Sequence, residues 1–169
     1  LEQRVYGDVW LRDTGPLVVR EADGTRIARR FGFNGWGGKY LMPGDQEIGA
    51  EIARDAGLVV THTPMILEGG AVDGDGTGLV ATTAQCLLNP NRNPHLTREA
   101  IEAELAAQLG FARVLWLGDG LINDHTDGHV DNLARFVAPN RLAVPEPTGK
   151  DDPNAAIYAD AAARAAAFG

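Results

Sequence analysis

The sequence predicts an α/β fold made of about three similar units, and three observations carry that prediction. Polar clusters centred on Asp13, Glu68 and His129 stand 55 and 61 positions apart, a near-constant interval of the size expected for repeated structural units. Each cluster follows an apolar run and precedes a second one with hairpin turn signals. Between the clusters lie segments with apolar residues at four-residue spacing, the mark of a helix with one buried face.

The first stretch runs from Val5 to Val19, with Arg12-Asp13-Thr14-Gly15-Pro16 at its centre. The second runs from Leu58 to Leu88 around Glu68-Gly69-Gly70, with Asp73-Gly74-Asp75-Gly76 as its hairpin turn. The third runs from Val114 to Val144 around Asp127-Gly128-His129-Val130-Asp131, with Pro139-Asn140 as its turn. Helices are predicted over Asp45–Ala56, through Ile48, Ile52 and Ala56, and over Thr97–Leu109, through Ile101, Leu105 and Leu109. Thr97 suits an N-cap and Gly110 a stop. Asn154–Phe168 is Ala-rich and predicted helical, provided one face packs on something. The segment from Asn89 to Pro94 reads as an ordered loop, and no linker long enough to separate two domains interrupts the chain. Repeated units that cannot bury their faces alone stack around a ring or along a line.

With 169 residues, 44% of them hydrophobic and 22% charged, the chain can bury a stable core as one domain. It holds no run of about 18 apolar residues, so a helical membrane span is excluded. A net charge of −8 argues against nucleic acid, which needs a basic surface. The same charge is compatible with a small cationic substrate, although such a balance commonly serves solubility alone. The single cysteine, Cys86, rules out an intrachain disulfide and fits a reducing compartment, so a cytoplasmic location is expected. The start, Leu1-Glu2-Gln3-Arg4, has neither an initiator methionine nor the regions of a signal peptide, and the numbering is expected to begin inside something longer.

Asp127, His129 and Asp131 alternate, which in an extended segment sets a histidine between two carboxylates on one face. Carboxylate neighbours hold an imidazole protonated to higher pH, as a general acid requires. The plainer alternative is an Asp-rich turn. With His125 added, the same stretch resembles a metal site, but a flat strand spreads these residues over about 20 Å, too far for one ion. Asp13 can accept paired hydrogen bonds from a planar guanidinium, unless it merely contacts Arg12 within a turn. Glu68 precedes two glycines that permit close backbone approach, unless it is only a surface residue. Cys86 has apolar neighbours and no nearby base in sequence, so a buried, inert thiol is expected rather than a nucleophile.

Five blocks together resemble the agmatine deiminase and bacterial-type (Porphyromonas-type) peptidyl-arginine deiminase family. They are Trp10-Leu11-Arg12-Asp13-Thr14-Gly15-Pro16, Phe33-Asn34-Gly35-Trp36-Gly37-Gly38-Lys39-Tyr40, Glu68-Gly69-Gly70, Cys86-Leu87-Leu88-Asn89-Pro90-Asn91-Arg92-Asn93-Pro94 and Thr126-Asp127-Gly128-His129-Val130-Asp131-Asn132, in the family's order. The resemblance implies a pseudo-fivefold α/β propeller of ββαβ modules, with about three of the five in residues 1–169, a partial catalytic domain lacking the family's N-terminal and C-terminal modules. It further implies that Asp13 and Asp131 grip the guanidinium, that His129 moves protons, that Glu68 supports the site by holding the histidine, and that Trp10 and Trp36 line the pocket.

The implied reaction is hydrolysis of a guanidino group through a covalent cysteine intermediate, with agmatine giving N-carbamoylputrescine and ammonia. Neither cofactor nor metal is implied. The family's nucleophile lies in a Gly-rich His-Cys block not found in this sequence, and Cys86 falls in a different block. His125 stands where an acidic residue is more usual. Three alternatives follow: a peptidyl-arginine deiminase, a guanidine-binding module without catalysis, and a metal-dependent hydrolase using His125, Asp127, His129 and Asp131. An incomplete ring would expose apolar edges, which allows a homo-oligomer.

Overall fold

The computed structural model describes Arg4 and residues 6–168. Leu1–Gln3, Val5, where the first predicted stretch begins, and Gly169 lie outside the described residues.

The chain repeats one order of elements. A short helical turn α1 (Leu11–Thr14) leads into the hairpin β1 (Leu17–Arg20) and β2 (Arg26–Gly32). The turn α2 (Gly35–Gly38) and helix α3 (Ile48–Asp55) then return the chain to β3 (Val59–Ile66). The second pass opens with a 3-10 turn, η1 (Gly69–Ala71), followed by β4 (Asp73–Gly74) and β5 (Leu79–Thr83). The turn α4 (Ala84–Leu87) and helix α5 (Arg98–Leu109) carry it to β6 (Arg113–Leu117). The third pass runs through α6 (Val130–Leu133), β7 (Arg135–Ala138), β8 (Arg141–Ala143) and α7 (Ala155–Phe168).

In the first two passes the hairpin strands pair antiparallel, and the strand after the helix joins parallel to the second of them. That is a ββαβ unit, and the parallel pairing needs the helical crossover. The third pass supplies the antiparallel hairpin and its helix. Each predicted cluster sits in the short turn that opens its pass. Equivalent turns of repeated units meet near one another, so α1 and α6 both pack on η1.

Local signals explain most boundaries. Thr97 caps α5 by accepting from the Ala100 amide at 3.2 Å, and Gly110 ends the helix in the left-handed region at φ 75°. Asp75 accepts from the amides of Thr77 and Leu79 and so builds the β4–β5 turn, while Asp73 and Gly74, expected in that turn, form β4 itself. Strand β5 is buried along its whole length because it lies between β4 and β6 under helices. Two apolar clusters result. One joins Phe31, Met65, Val80, Leu87, Ile101 and Leu105, and the other gathers Ala81, Leu115, Leu117, Val130, Leu133 and Ala161 beneath α6 and α7. The Ala-rich α7 thereby obtains the packing partner its sequence demands. Among the described residues no helix is long and apolar enough to cross a membrane.

Candidate active site

Gly70 lies where the three turns converge. A Cβ on it would stand 2.4 Å from His129 Nδ1, 2.7 Å from Asp13 Oδ1 and 2.9 Å from Asp131 Oδ2. Its backbone is not left-handed, so glycine is needed here for space and not for conformation. Gly69 beside it admits the Arg12 carbonyl, which a Cβ would meet at 2.1 Å. These two glycines let α1, η1 and α6 approach closely enough to bring two carboxylates and an imidazole around one point.

Asp13 is held from two sides: the Gly70 amide donates to Oδ1 at 2.8 Å and Trp36 Nε1 donates to Oδ2 at 3.0 Å. Trp36 itself is buried, in the left-handed region at φ 54°, with its ring edge-on to Phe33 at 4.9 Å between centroids. Asn34 supports the turn by accepting from the Gly37 amide. Trp10 is 58% exposed and stands at the rim. His129 is buried, its Nδ1 3.6 Å from Asp13 Oδ1, and its Nε2 has no hydrogen-bond partner among the described residues. Asp131 faces Arg12 Nε at 3.7 Å, and Arg12 also donates to the Val72 carbonyl. Arg12 thus turns away from Asp13, and the internal turn contact considered from sequence does not form.

Around these groups opens a cavity of about 460 Å³ whose lining includes Asp8, Trp10, Trp36, Tyr40, Asp124 and His125. Burial pushes the His129 pKa below its ordinary value, against the pull of Asp13 and Asp131. The expectation that neighbouring carboxylates keep the imidazole protonated therefore yields to desolvation by burial. Burial, helped by the Asp13 charge, pushes the Asp131 carboxyl up.

The extended reading of residues 127–131 is corrected by the structure. Asp127 and Gly128 lie at φ 64° and 91°, a turn that sends Asp127 to the far side from His129 and Asp131. There Asp127 pairs with Lys39, and accepts from Asn91 Nδ2 at 2.9 Å and Arg92 Nη1 at 2.8 Å. His125 meets the Tyr40 hydroxyl at 3.2 Å through its Nδ1. His125 and Asp127 of the metal reading therefore turn to partners of their own, apart from the point around Gly70 where His129 and Asp131 meet.

Glu68 is fully buried, which excludes the surface role. Its Oε1 lies 2.7 Å from Arg92 Nε, an ion pair by distance whose angle falls short of hydrogen-bond alignment. Cys86 is also fully buried, yet a base is near: ligand atoms of Glu68, Cys86 and His129 all fall within 4.8 Å of one another. Sequence separation had hidden that proximity. Burial, reinforced by the Glu68 charge, pushes the Cys86 thiol well above the usual range, so the thiolate needed for attack is disfavoured. The Arg92 guanidinium already supplies a positive charge beside Glu68, which disfavours a metal cation in the same place. Arg92, Asn91 and Lys39 were legible only as parts of quoted blocks, with no role of their own.

The profile of the Porphyromonas-type peptidyl-arginine deiminase family matches residues 2–168. A Vibrio parahaemolyticus relative, provisionally named an agmatine deiminase, is 39% identical over 159 residues, 91% of this chain and 43% of its own length. A Yersinia pseudotuberculosis relative with the same provisional name is 42% identical, covering 90% of this chain and 43% of its own. The chain thus spans less than half the length of these curated relatives. Among solved structures, the agmatine deiminase of Enterococcus faecalis superposes with a TM-score of 0.90 at 36% identity, over 95% of this chain and 46% of that one. A C. jejuni agmatine deiminase, solved as a cysteine-to-serine variant with substrate bound, gives 0.88 at 32% identity, over 96% and 49%. The repeated ββαβ units are those of the α/β propeller these deiminases share, and the chain belongs to the Porphyromonas-type peptidyl-arginine deiminase family.

Proposed function

We propose that this chain carries the guanidinium-gripping and proton-transfer half of a deiminase that hydrolyses agmatine to N-carbamoylputrescine and ammonia. The observation that carries the reading is the convergence of Asp13, Asp131 and His129 around Gly70. Two carboxylates oppose a planar cation and hold its carbon in register, and their charge balances the guanidinium during attack. His129 beside them passes a proton to the departing ammonia and takes one from the incoming water. The thiolate that adds to the guanidinium carbon comes, in this reading, from a cysteine outside these 169 residues. The C. jejuni neighbour, a cysteine-to-serine variant of an agmatine deiminase with substrate bound, supports that chemistry.

The pocket lining supports agmatine over free arginine. Asp8 and Asp124 join Asp13 and Asp131 in its lining, and Arg12, the one guanidinium among the described lining residues, is occupied by Asp131 and the Val72 carbonyl. A substrate cationic at both ends fits such walls, whereas a free carboxylate finds no uncommitted cation among the described lining residues. A role in polyamine formation and a cytoplasmic setting follow from this reading and from a single unpaired thiol.

The test has two arms. Calorimetry of this chain with agmatine, arginine and an arginyl peptide should rank agmatine first. Ammonia release by the protein extended through its C-terminal residues should require agmatine. Preference for the peptide in both arms moves the substrate to peptidyl arginine. Binding without turnover in the extended protein leaves a guanidine-binding module. Neither binding nor turnover of any guanidino compound overturns the proposal.

A further inference from the structure

Arg92 is not among the residues that line the cavity, yet its side chain is fully buried and each of its three nitrogens is engaged. Nε faces Glu68 at 2.7 Å, Nη1 donates to Asp127 at 2.8 Å and Nη2 donates to the Thr126 carbonyl at 2.7 Å. Thr126 and Asp127 open the turn that ends at His129, and the Thr126 hydroxyl accepts from the His129 amide at 3.0 Å. One guanidinium therefore joins the buried Glu68 carboxylate, which lies within 4.8 Å of the histidine, to the turn that presents that histidine.

The loop bearing Arg92 is built to hold it still. Asn93 makes two bonds to the end of β3, accepting from the Ile66 amide and donating to the Ile66 carbonyl, each at 2.9 Å. Asn34 donates to the Asn91 carbonyl at 2.8 Å, which ties the same loop to the turn carrying Trp36. Lys39 completes the arrangement on Asp127.

We infer that Arg92 is the positioning residue of this site, fixing Glu68 within 4.8 Å of His129 without a hydrogen bond between them and, through Asp127 and Thr126, fixing the turn that aims His129 at the guanidinium. The inference rests on the proposed reading of the site as a deiminase. Its physical basis is the cost of a buried carboxylate: Glu68 is stable here only with a fixed counter-charge, and burial already pushes its pKa up against the opposing pull of Arg92. Lysine cannot replace the fork, because an ammonium is a point charge that cannot meet three acceptors set at different angles.

In the extended, active protein, Arg92→Lys should lower kcat by about 100-fold while KM for agmatine moves less than about threefold, because the gripping carboxylates are untouched. Arg92→Gln should act through Glu68, so its loss in a Glu68→Gln background should shrink to less than about threefold. A carboxyl-carbon NMR titration of this chain should place Glu68 at higher pH in Arg92→Gln than in wild type, whatever the turnover. Should Arg92→Gln fail to fold, the same titration in Arg92→Lys carries the test. Wild-type kcat in Arg92→Lys, losses that multiply in the double variant, or an unmoved Glu68 titration overturns the inference. An extended wild-type protein inactive on guanidino compounds overturns the deiminase reading instead, and the titration still decides the Glu68–Arg92 coupling.

Discussion

The Gly70 amide donates to Asp13 Oδ1 at 2.8 Å, while the missing Gly70 side chain leaves room for His129 and Asp131 beside the same carboxylate. One residue thus orients the Asp13 carboxylate with its backbone and admits two more polar groups by having no Cβ. Gly70→Ala should therefore destabilise the fold by about 1–3 kcal/mol, the usual cost of overpacking. It should also weaken agmatine binding by at least about tenfold. Denaturant unfolding and calorimetry on one preparation measure both, and unchanged affinity would show that the three groups can part without cost.

Trp36 supplies the other fixed donor to Asp13. Trp36→Phe keeps an aromatic ring against Phe33 but removes the N–H, leaving Asp13 Oδ2 without that partner. A loss of about 1 kcal/mol in agmatine affinity, roughly fivefold, is expected from one hydrogen bond. Titration calorimetry that finds equal affinities would place Trp36 in packing alone.

Cys86 is expected to be inert. In the folded chain a thiol reagent should modify it orders of magnitude more slowly than free cysteine, with full reactivity on unfolding. Cys86→Ala should cost about 1–2 kcal/mol of stability and leave agmatine turnover by the extended protein within a few-fold of wild type. Abolished turnover with intact folding would falsify the structural assignment.

Acid stability should depend on Asp127. Burial opposes its ionisation, but hydrogen bonds from Lys39, Asn91 and Arg92 hold its pKa down to about 2. An unfolded aspartate titrates near 3.9, so the folded state binds fewer protons between those values. The stabilisation is complete above about pH 4 and is lost as the pH falls toward 2. Asp127→Asn should therefore lower the Tm at pH 7 and flatten its fall between pH 5 and 2, as followed by circular dichroism. Parallel pH profiles for the two proteins would contradict the assignment.

The three units were legible in sequence because repetition and punctuation are local: Thr97 and Gly110 bracket α5, and Asp75 and Asn140 sit at hairpin turns wherever the chain goes next. The clusters at Asp13, Glu68 and His129 were legible for the same reason, since each opens a pass of the repeat. Residues 127–131 were not, because alternation in sequence implies a shared face only in a strand, and the left-handed Asp127-Gly128 turn breaks that rule.

By itself the sequence determined the alternation of hairpins and helices, the limits of the helix from Thr97 to Gly110, the acidic balance and the family to which the blocks point, whereas the helix expected over Asp45–Ala56 is confined to Ile48–Asp55. Tertiary structure alone decided which charged groups meet. Arg92 and Glu68 lie 24 positions apart, and Trp36 and Asp13 lie 23 apart, with nothing in the intervening residues to pair them. Electrostatic and hydrogen-bond partners depend on distance and burial, which exist only after the repeated turns have packed on one another around Gly70.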